Sequence, residues 1–218
     1  MTPGDEEGHR RGTKAVPRLD LVDGTTLSVV AAGYLLGSVD FGVIVPRLLG
    51  TDIYAQGSGN PGASNVLRSM GRGTAAVVLL GDIGKGVGAA ALGDIMVGEV
   101  VGFAAGFAAA VGHCFPIWHG LRGGKGVAAA GGLTLWFEPV LGIALLVVWA
   151  GLVGLTKRAS VASLLVVMAL VPGLALFGHR EWSLGWAGAT AFLIVTRHHH
   201  NIRRLLGGAE HTLETDSG

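Results

Sequence analysis

The sequence has little charge, few aromatic residues and a single cysteine. Charged side chains make up 14% of the 218 residues and aromatic side chains 6%, whereas charge runs near 25% in a soluble domain. The 16 Lys and Arg nearly balance the 15 Asp and Glu, which argues against a basic nucleic-acid-binding protein. The lone cysteine, Cys114, excludes an intramolecular disulfide and a zinc cluster of the CxxC kind.

Hydrophobic side chains and glycine are present in excess. Hydrophobic residues make up 50% of the chain, the mean hydropathy is +0.55, and 38 residues are glycine. The glycines lack the G-X-Y period of collagen, and they lie inside apolar runs rather than in a flexible linker. This composition predicts a membrane protein with closely packed helices and tight, glycine-rich loops.

Seven apolar stretches are candidates for membrane helices, because a bilayer core about 30 Å thick takes roughly 20 residues of helix. They lie at 27–49, 73–93, 97–118, 126–137, 139–156, 160–178 and 182–196. We therefore predict an all-α membrane protein over residues 26–206, a seven-span helical bundle with Gly-rich cytoplasmic loops. We expect a disordered polar tail over 1–25, which has no signal-peptide pattern, and a second polar tail over 207–218.

Two of the seven stretches are irregular. The fourth is short, and the second contains Asp82 and Lys85 in its middle. Short or interrupted segments line polar cavities in membrane proteins, so a site is expected there. Asp82 and Lys85 are three residues apart and share a helix face. They form either a mutually neutralised structural pair or a direct contact to substrate, and the residues favour both equally.

The loop cations predict the orientation of the chain. With the N-terminus outside, ten cations fall on the cytoplasmic side, and the external loops contain only Arg180. The ten are Arg47, Arg68, Arg72, Arg122, Lys125, Lys157, Arg158, Arg197, Arg203 and Arg204. Cations of the N-terminal tail oppose this assignment, because they would have to cross the bilayer. We predict a multi-pass plasma-membrane protein with its C-terminus and its polar segments 50–72 and 119–125 in the cytoplasm.

The polar segment 57–68, GSGNPGASNVLR, has the composition of an anion-binding loop. Its glycines permit close backbone approach, and successive backbone N–H groups in such turns form anion-binding nests. The candidate binding groups are Gly57, Ser58, Gly59, Asn60, Asn65 and Arg68. The same residue types also build plain surface turns, but the length of the segment and the planar guanidinium of Arg68 favour a phosphate.

The segment 120–126, GLRGGKG, is a second candidate phosphate loop. It is not a Walker A loop, because no glycine lies six residues before Lys125 and Gly126 replaces the Ser or Thr that would hold magnesium. An NTPase is therefore disfavoured. Lys125, preceded by Gly123 and Gly124, either holds a phosphate or is a loop charge of the positive-inside kind.

Residues 197–201 read RHHHN at the end of the last apolar stretch. Neighbouring residues of a helix point about 100° apart, so the three histidines cannot converge on one ion, and we expect no metal site. His198 and Asn201 are three residues apart and share a face, so they can donate to one ligand together. We assign His113 and Cys114, at the end of the third stretch, to packing.

These segments together resemble the bacterial acyl-phosphate:glycerol-3-phosphate acyltransferases, small integral-membrane enzymes of phospholipid synthesis. The resemblance covers residues from about 30 to 211. Its motifs are GYLLGS at 33–38, DI at 52–53, GSGNPGASNVLR at 57–68, GDIGKG at 81–86, GHCFPIWHGLRGGKGVA at 112–128, RASVASL at 158–164 and RHHHNIRRLL at 197–206. Several long motifs in the same order make this resemblance highly specific.

The resemblance implies a seven-span enzyme with its groove facing the cytoplasm. The enzyme would transfer an acyl chain from acyl phosphate to the sn-1 hydroxyl of glycerol 3-phosphate, the first committed step of phospholipid synthesis. The partners implied are these two substrates and membrane lipids, with no cofactor, nucleic acid or obligate protein partner. The family does not use acyl-CoA directly. This agrees with treating His211 and Asp216, which have the H-x-x-x-x-D spacing of acyl-CoA enzymes, as a coincidence.

Carried onto this sequence, the resemblance implies five catalytic residues. Arg68 and Lys125 would clamp phosphates, Ser58 would position oxygens, and His198 and Asn201 would hold glycerol phosphate. The hydroxyl proton would pass to His198 or to a substrate phosphate oxygen, and the resemblance favours the oxygen. The supporting substrate- and phosphate-binding groups would be Gly57, Gly59, Asn60, Asn65, Lys85, Gly123 and Gly124.

The chain departs from the family pattern at a few positions. Tyr54 replaces an arginine, so we expect one anion contact to be missing, and Asp40 is an unusual acid near the first motif. Ser64 replaces a threonine and keeps the hydroxyl, and Leu121-Arg122 replaces Phe-Lys and keeps the charge. The alternatives are a small transporter or channel for phosphorylated solutes, or an inactive family member. The loops 57–68 and 120–126 differ in pattern and lack the repeat symmetry expected of a transporter.

Overall fold

The computed structural model describes residues 23–213, and all the regular structure in that range is helical. The helices are α1 (Gly24–Gly37), α2 (Phe41–Leu48), α3 (Ala63–Met70), α4 (Arg72–Met96), α5 (Glu99–Cys114), α6 (Val127–Phe137), α7 (Pro139–Thr156), α8 (Ala159–Leu176), α9 (Glu181–Arg197) and α10 (His199–Leu206). Two short 3-10 turns lie at Ile53–Ala55 and Ile117–His119. The predicted all-α class is confirmed.

The ends of the described range bear on the predicted tails. α1 begins at Gly24, where the Asp23 carboxylate accepts a hydrogen bond from the backbone N–H of Thr26 (2.7 Å) and caps the helix. The last residues of the predicted N-terminal tail are therefore already ordered. The rest of that tail, and Asp216 with the end of the C-terminal tail, lie outside the described residues.

All seven predicted apolar stretches become helices, but their lengths differ. Five segments of the described chain are long and apolar enough to cross a membrane: Gly24–Leu48, Arg72–Met96, Glu99–His119, Pro139–Thr156 and Ala159–Leu176. α9 has 17 residues and α6 has 11. A helix of 11 residues rises about 16 Å, roughly half of a bilayer core. The loop before α6 is folded against the bundle, and its residues Gly123 and Gly124 are buried.

The first apolar stretch is not one helix but two, α1 and α2. The chain breaks at Ser38–Asp40, where the Ser38 hydroxyl donates to the Tyr34 carbonyl (2.9 Å). The Asp40 carboxylate accepts from the backbone N–H of Gly42 (3.1 Å) and caps α2. Helix ends leave backbone groups without partners, and inside an apolar bundle side chains must supply them. The break is tolerated because Ser38 and Asp40 do so.

Glycines allow the helices to approach at backbone distance. A Cβ atom added at Gly37 of α1 would overlap the carbonyl oxygen of Ala109 on α5. A Cβ atom added at Gly86 of α4 would overlap the carbonyl oxygen of Ala129 on α6. Close approach of this kind stabilises helix pairs in a membrane, where apolar burial alone favours no partner over lipid. It also brings the loops at the helix ends together.

A buried ion pair lies on one face of α4. The Lys85 ammonium lies 2.8 Å from the Asp82 carboxylate, and both side chains are 1% exposed. Lys85 also donates to the Val39 carbonyl at the break between α1 and α2 (2.9 Å). The imidazole Nδ1 of His113 lies 3.4 Å from Asp82, and Asp40 is buried in the field of the same charges. The arrangement favours the structural pair over a direct substrate contact for Lys85.

We expect this pair to make the protein intolerant of single neutral substitutions. Lys85→Met leaves the Asp82 carboxylate buried without its cation and should cost about 3–5 kcal/mol of stability, whereas Asp82→Leu combined with Lys85→Met should cost much less. Thermal unfolding of the detergent-solubilised protein measures the difference, with exposed Arg72→Gln as the control. A double variant no more stable than Lys85→Met alone would contradict the assignment.

Candidate active site

Three segments, 51–71, 115–126 and 197–213, lie against one another at one end of the bundle, which we call the loop end. Hydrogen bonds join the first segment to each of the others, and further bonds join the second to the third. The sequence placed all three on the cytoplasmic side from loop charge and the number of spans. The structure brings them into direct contact.

A cavity of about 160 Å³ lies at the loop end and extends between the helices. Its polar lining consists of Ser58, Asn60, Ser64, Asn65, Arg68, Asp82, His113, Lys125, Thr134, Ser160, Ser163, His198, Asn201, Glu210 and His211. Its apolar lining includes Leu79, Ile83, Leu135, Leu145, Leu146, Trp149, Val166, Val167 and Leu170. The cavity therefore joins a cation-rich polar head to an apolar channel.

The predicted catalytic residues lie together on this cavity. They are Ser58, Arg68, Lys125, His198 and Asn201, and the predicted supporting groups Asn60 and Asn65 join them. Four other predicted groups, Gly57, Gly59, Gly123 and Gly124, are outside the lining and belong to the loops behind it. Lys85 is also outside the lining, because its ammonium is engaged with Asp82.

Asn65 holds the first loop in shape. Its side chain is buried, its Oδ1 accepts from the backbone N–H of Ser58 (2.9 Å), and its Nδ2 donates to the Gln56 carbonyl (2.9 Å). Gly57 has a φ of +50°, and a Cβ there would overlap the Asn65 amide. This conformation of the first loop places the Ser58 hydroxyl 3.5 Å from the Arg68 guanidinium. Asn65 thus builds the loop in addition to lining the cavity.

Cations surround the polar head of the cavity. Burial lowers the pKa of Lys125 to about 8, with Glu210 opposing this shift and Arg204, Arg68 and Arg197 adding to it by repulsion. The Nε of Arg68 is buried and has no hydrogen-bond partner among the described residues. A buried donor with no partner lowers the stability of the fold. A bound phosphate would accept hydrogen bonds from Arg68 and Lys125.

His198 and Asn201 face the same cavity from the junction of α9 and α10. The Nδ1 of His198 contacts the Ile194 carbonyl at 2.8 Å, and because a carbonyl only accepts, Nδ1 carries the hydrogen. Burial lowers the pKa of His198 to about 4, so its Nε2 is an acceptor near neutral pH. The Oδ1 of Asn201 is buried and has no partner in the described part of the chain. The pair therefore presents two acceptors to the cavity, where the sequence suggested donors, and two acceptors suit a hydroxyl group.

Glu210 is a site residue that the sequence analysis missed. Its carboxylate accepts from Ser160 (2.7 Å), Asn201 (2.6 Å) and Arg204 (3.0 Å). Burial acts to raise the pKa of Glu210, but these hydrogen bonds outweigh burial and lower it. The backbone N–H of Leu213 also donates to a carbonyl before α8 (2.8 Å). The described part of the predicted polar tail, up to Leu213, thus forms a strap across the cavity. No local pattern in the sequence marks this strap, because Ser160 is distant in sequence.

Tyr54, one of the departures from the family pattern, connects two loops of the site. Its hydroxyl donates to the carbonyl of Arg122 (2.6 Å), and the Arg122 guanidinium lies 5.0 Å from the centre of its ring. Tyr54 thereby connects the 3-10 turn beside the first loop to the second loop. It contributes a contact between the loops at the position where an anion contact was expected to be missing.

The family of the chain is identified by comparison with known proteins. Residues 27–208 match the family glycerol-3-phosphate acyltransferase. The chain is 41% identical over 187 residues to the glycerol-3-phosphate acyltransferase of Rhizobium meliloti (strain 1021), which covers 85% of this chain and 91% of that protein. It is 44% identical over 190 residues to the protein of the same name from Anaeromyxobacter dehalogenans (strain 2CP-1), covering 84% and 94%.

Solved structures share the fold. The chain is similar to the crystal structure of PlsY (YgiH), an integral membrane glycerol 3-phosphate acyltransferase, in its glycerol 3-phosphate form, with a TM-score of 0.83, 35% identity and coverage of 87% of this chain and 96% of that one. The lysophosphatidic acid form of that protein gives a TM-score of 0.81 at the same identity. The resemblance inferred from the motifs is confirmed.

We expect the polar head to bind inorganic phosphate. Saturating phosphate, at about a hundred times its Kd, should stabilise the protein by about 2.7 kcal/mol, because the anion satisfies Arg68 and Lys125 and relieves their repulsion. Thermal unfolding with and without phosphate measures the effect. Lys125→Ala should remove most of it, and Arg72→Gln, which changes an exposed cation, should not. A phosphate effect that is equal in both variants would show that the anion binds elsewhere.

Proposed function

The chain belongs to the glycerol-3-phosphate acyltransferase family, and from this we propose that its cavity transfers an acyl chain from acyl phosphate to the sn-1 hydroxyl of glycerol 3-phosphate. The products are 1-acyl-glycerol 3-phosphate and inorganic phosphate. The observation that carries the proposal is the joining of a cation-rich head to an apolar channel in one cavity. Both substrates have a phosphate, and one also has a long hydrocarbon chain.

The polar head is suited to the phosphates. Arg68 offers a planar fork whose Nε is without a partner in the described residues, and Lys125 offers a second cation on the facing loop. Phosphate is already a good leaving group. Positioning and stabilisation of developing charge can therefore supply much of the catalysis, and no cofactor is proposed.

The apolar channel is suited to the acyl chain. Leu79 and Ile83 of α4 line one side, and Leu146 and Trp149 of α7 line another. The indole N–H of Trp149 donates to the Ser163 hydroxyl (3.0 Å), so its polar atom is satisfied and its ring faces the channel as apolar surface. A chain placed here keeps its hydrocarbon away from water while its carbonyl stays at the polar head.

The acceptors on His198 and Asn201 are suited to the glycerol hydroxyls. In the proposed step the sn-1 oxygen bonds to the acyl carbon, and the bond from that carbon to the phosphate oxygen breaks with its electron pair on the phosphate. The hydroxyl proton ends on a phosphate oxygen. The low pKa of His198 supports this route, because an imidazole with a pKa of about 4 is a weak base near neutral pH.

We propose the membrane arrangement that the sequence predicts. The protein has seven spans in the plasma membrane, with its N-terminus outside and its C-terminus and active site in the cytoplasm. The gathering of Arg68, Lys125, Arg197 and Arg204 at the loop end supports this orientation through the positive-inside rule. α9, and α6 together with the buried loop before it, would complete the count of seven beyond the five longer segments of the described chain. Glycerol 3-phosphate and acyl phosphate are the proposed partners, with surrounding lipid.

The reaction is tested with purified protein in detergent, palmitoyl phosphate and glycerol 3-phosphate. We expect release of phosphate together with 1-palmitoyl-glycerol 3-phosphate, and no product when palmitoyl-CoA replaces palmitoyl phosphate. Arg68→Ala and Lys125→Ala should each lower kcat by about a hundredfold to a thousandfold, as loss of a charge-stabilising donor does. Exposed Arg72→Gln should match the wild type. An inactive wild type would overturn the function, and an active Lys125→Ala would overturn the site.

The pKa of Lys125 predicts an alkaline limit to the activity. The ammonium is charged below its pKa, so kcat should fall as the pH rises through about 8. Glu210→Gln removes the anion that raises the pKa of Lys125, and the limit should move to lower pH. Rates corrected for enzyme-free hydrolysis of the acyl phosphate measure both effects, with Glu181→Gln, exposed at the start of α9, as the control. An unchanged limit in Glu210→Gln would contradict the assignment.

A further inference from the structure

Arg197, at the end of α9, donates hydrogen bonds to the backbone of the second loop, residues 120–126. Its Nη2 donates to the carbonyls of Gly123 (3.1 Å) and Gly124 (3.1 Å), and its Nε donates to the carbonyl of Gly124 (3.3 Å). Its guanidinium lies 4.9 Å from the centre of the Phe115 ring. One side chain therefore makes three hydrogen bonds and a stacking contact to the segment that precedes Lys125.

The opposite edge of the same loop is attached to the end of α5. The backbone N–H of Gly124 donates to the His113 carbonyl (3.0 Å), and that of Gly123 donates to the Cys114 carbonyl (3.3 Å). A Cβ at Gly124 would overlap the His113 imidazole. The loop is therefore held by its N–H groups on one side and by its carbonyls, through Arg197, on the other.

We propose that Arg197 is a positioning residue that sets the location of Lys125 in the active site. The inference rests on the proposed function, which gives Lys125 its task. Arg197 is outside the lining of the cavity, so it acts through the loop and not on substrate. Because His198 is the next residue, one junction fixes both the phosphate-binding cation and the acceptor for the hydroxyl. Their separation determines whether the two substrates meet.

The chemistry of this contact needs arginine. A planar guanidinium can bond two carbonyls at once while it stacks on an aromatic ring, whereas a lysine ammonium is a compact point charge on a flexible stem. The charge and the shape of Arg197 have separate consequences. The charge repels Lys125 and lowers its pKa, while the shape holds the loop. Arg197→Lys keeps the charge and loses the fork, and Arg197→Gln loses both.

The test compares Arg197→Lys and Arg197→Gln with the same two changes at Arg203, which is exposed on α10. We expect both Arg197 variants to lower kcat by about tenfold to a hundredfold, because a small displacement of a catalytic group has that effect. The alkaline limit should stay in place for Arg197→Lys and move to higher pH for Arg197→Gln. The Arg203 variants should match the wild type.

A charge-only role and a folding defect give different results. If Arg197→Lys keeps the kcat of the wild type within about twofold, where a misplaced loop should cost tenfold or more, positioning is wrong. Addition of guanidinium ion to Arg197→Ala should restore part of kcat in the proposed case, and no restoration in a protein of unchanged Tm would overturn it. If the wild type itself releases no phosphate, the proposed function fails instead, and the two failures are distinguished.

Discussion

The active site depends on holding mutually repelling cations close together at the edge of an apolar bundle. Lys125 is surrounded by Arg68, Arg197 and Arg204, and its pKa falls to about 8 because of burial and this repulsion. Glu210 is the carboxylate placed among them, bound to Arg204 at 3.0 Å. A phosphate would complete the neutralisation. The excess of positive charge before binding is what favours an anion there.

Cations that repel one another stay in place only if the backbone that carries them is fixed. The two loops are fixed by polar contacts with specific partners: the Asn65 amide inside the first loop, Tyr54 between the loops, and Arg197 on the second. Glycine makes these contacts possible, because Gly124 fits against the His113 ring only without a side chain. The same residue type that thins the helices thus also lets the loops approach.

Those features of the fold and of the site that depend on local sequence were predictable. Apolar length predicted the seven apolar helical stretches but not α3 or α10, whose residues are largely polar. Residue type, spacing and the family resemblance together predicted five side chains that do lie on one cavity. The break at Ser38 and Asp40 was missed because apolar residues continue on both sides of these two polar residues, and the hydrogen bonds that cap the helices there depend on the three-dimensional structure. The alternatives for Lys85 stayed open until its distance to Asp82 and to the Val39 carbonyl was known.

By itself, the sequence determined that the protein lies in a membrane, that it is helical, and which residue types can bind phosphate. Hydropathy, glycine content and motif spacing are properties of the chain, so no structure is needed for these conclusions. Only the tertiary structure decided that Glu210 belongs to the site and that Arg197 holds the second loop. Glu210 meets Ser160 across 50 residues of sequence, and Arg197 meets Gly124 across 73. The physical reason is that hydrogen bonds depend on distances of about 3 Å, which helix packing sets and linear spacing does not encode.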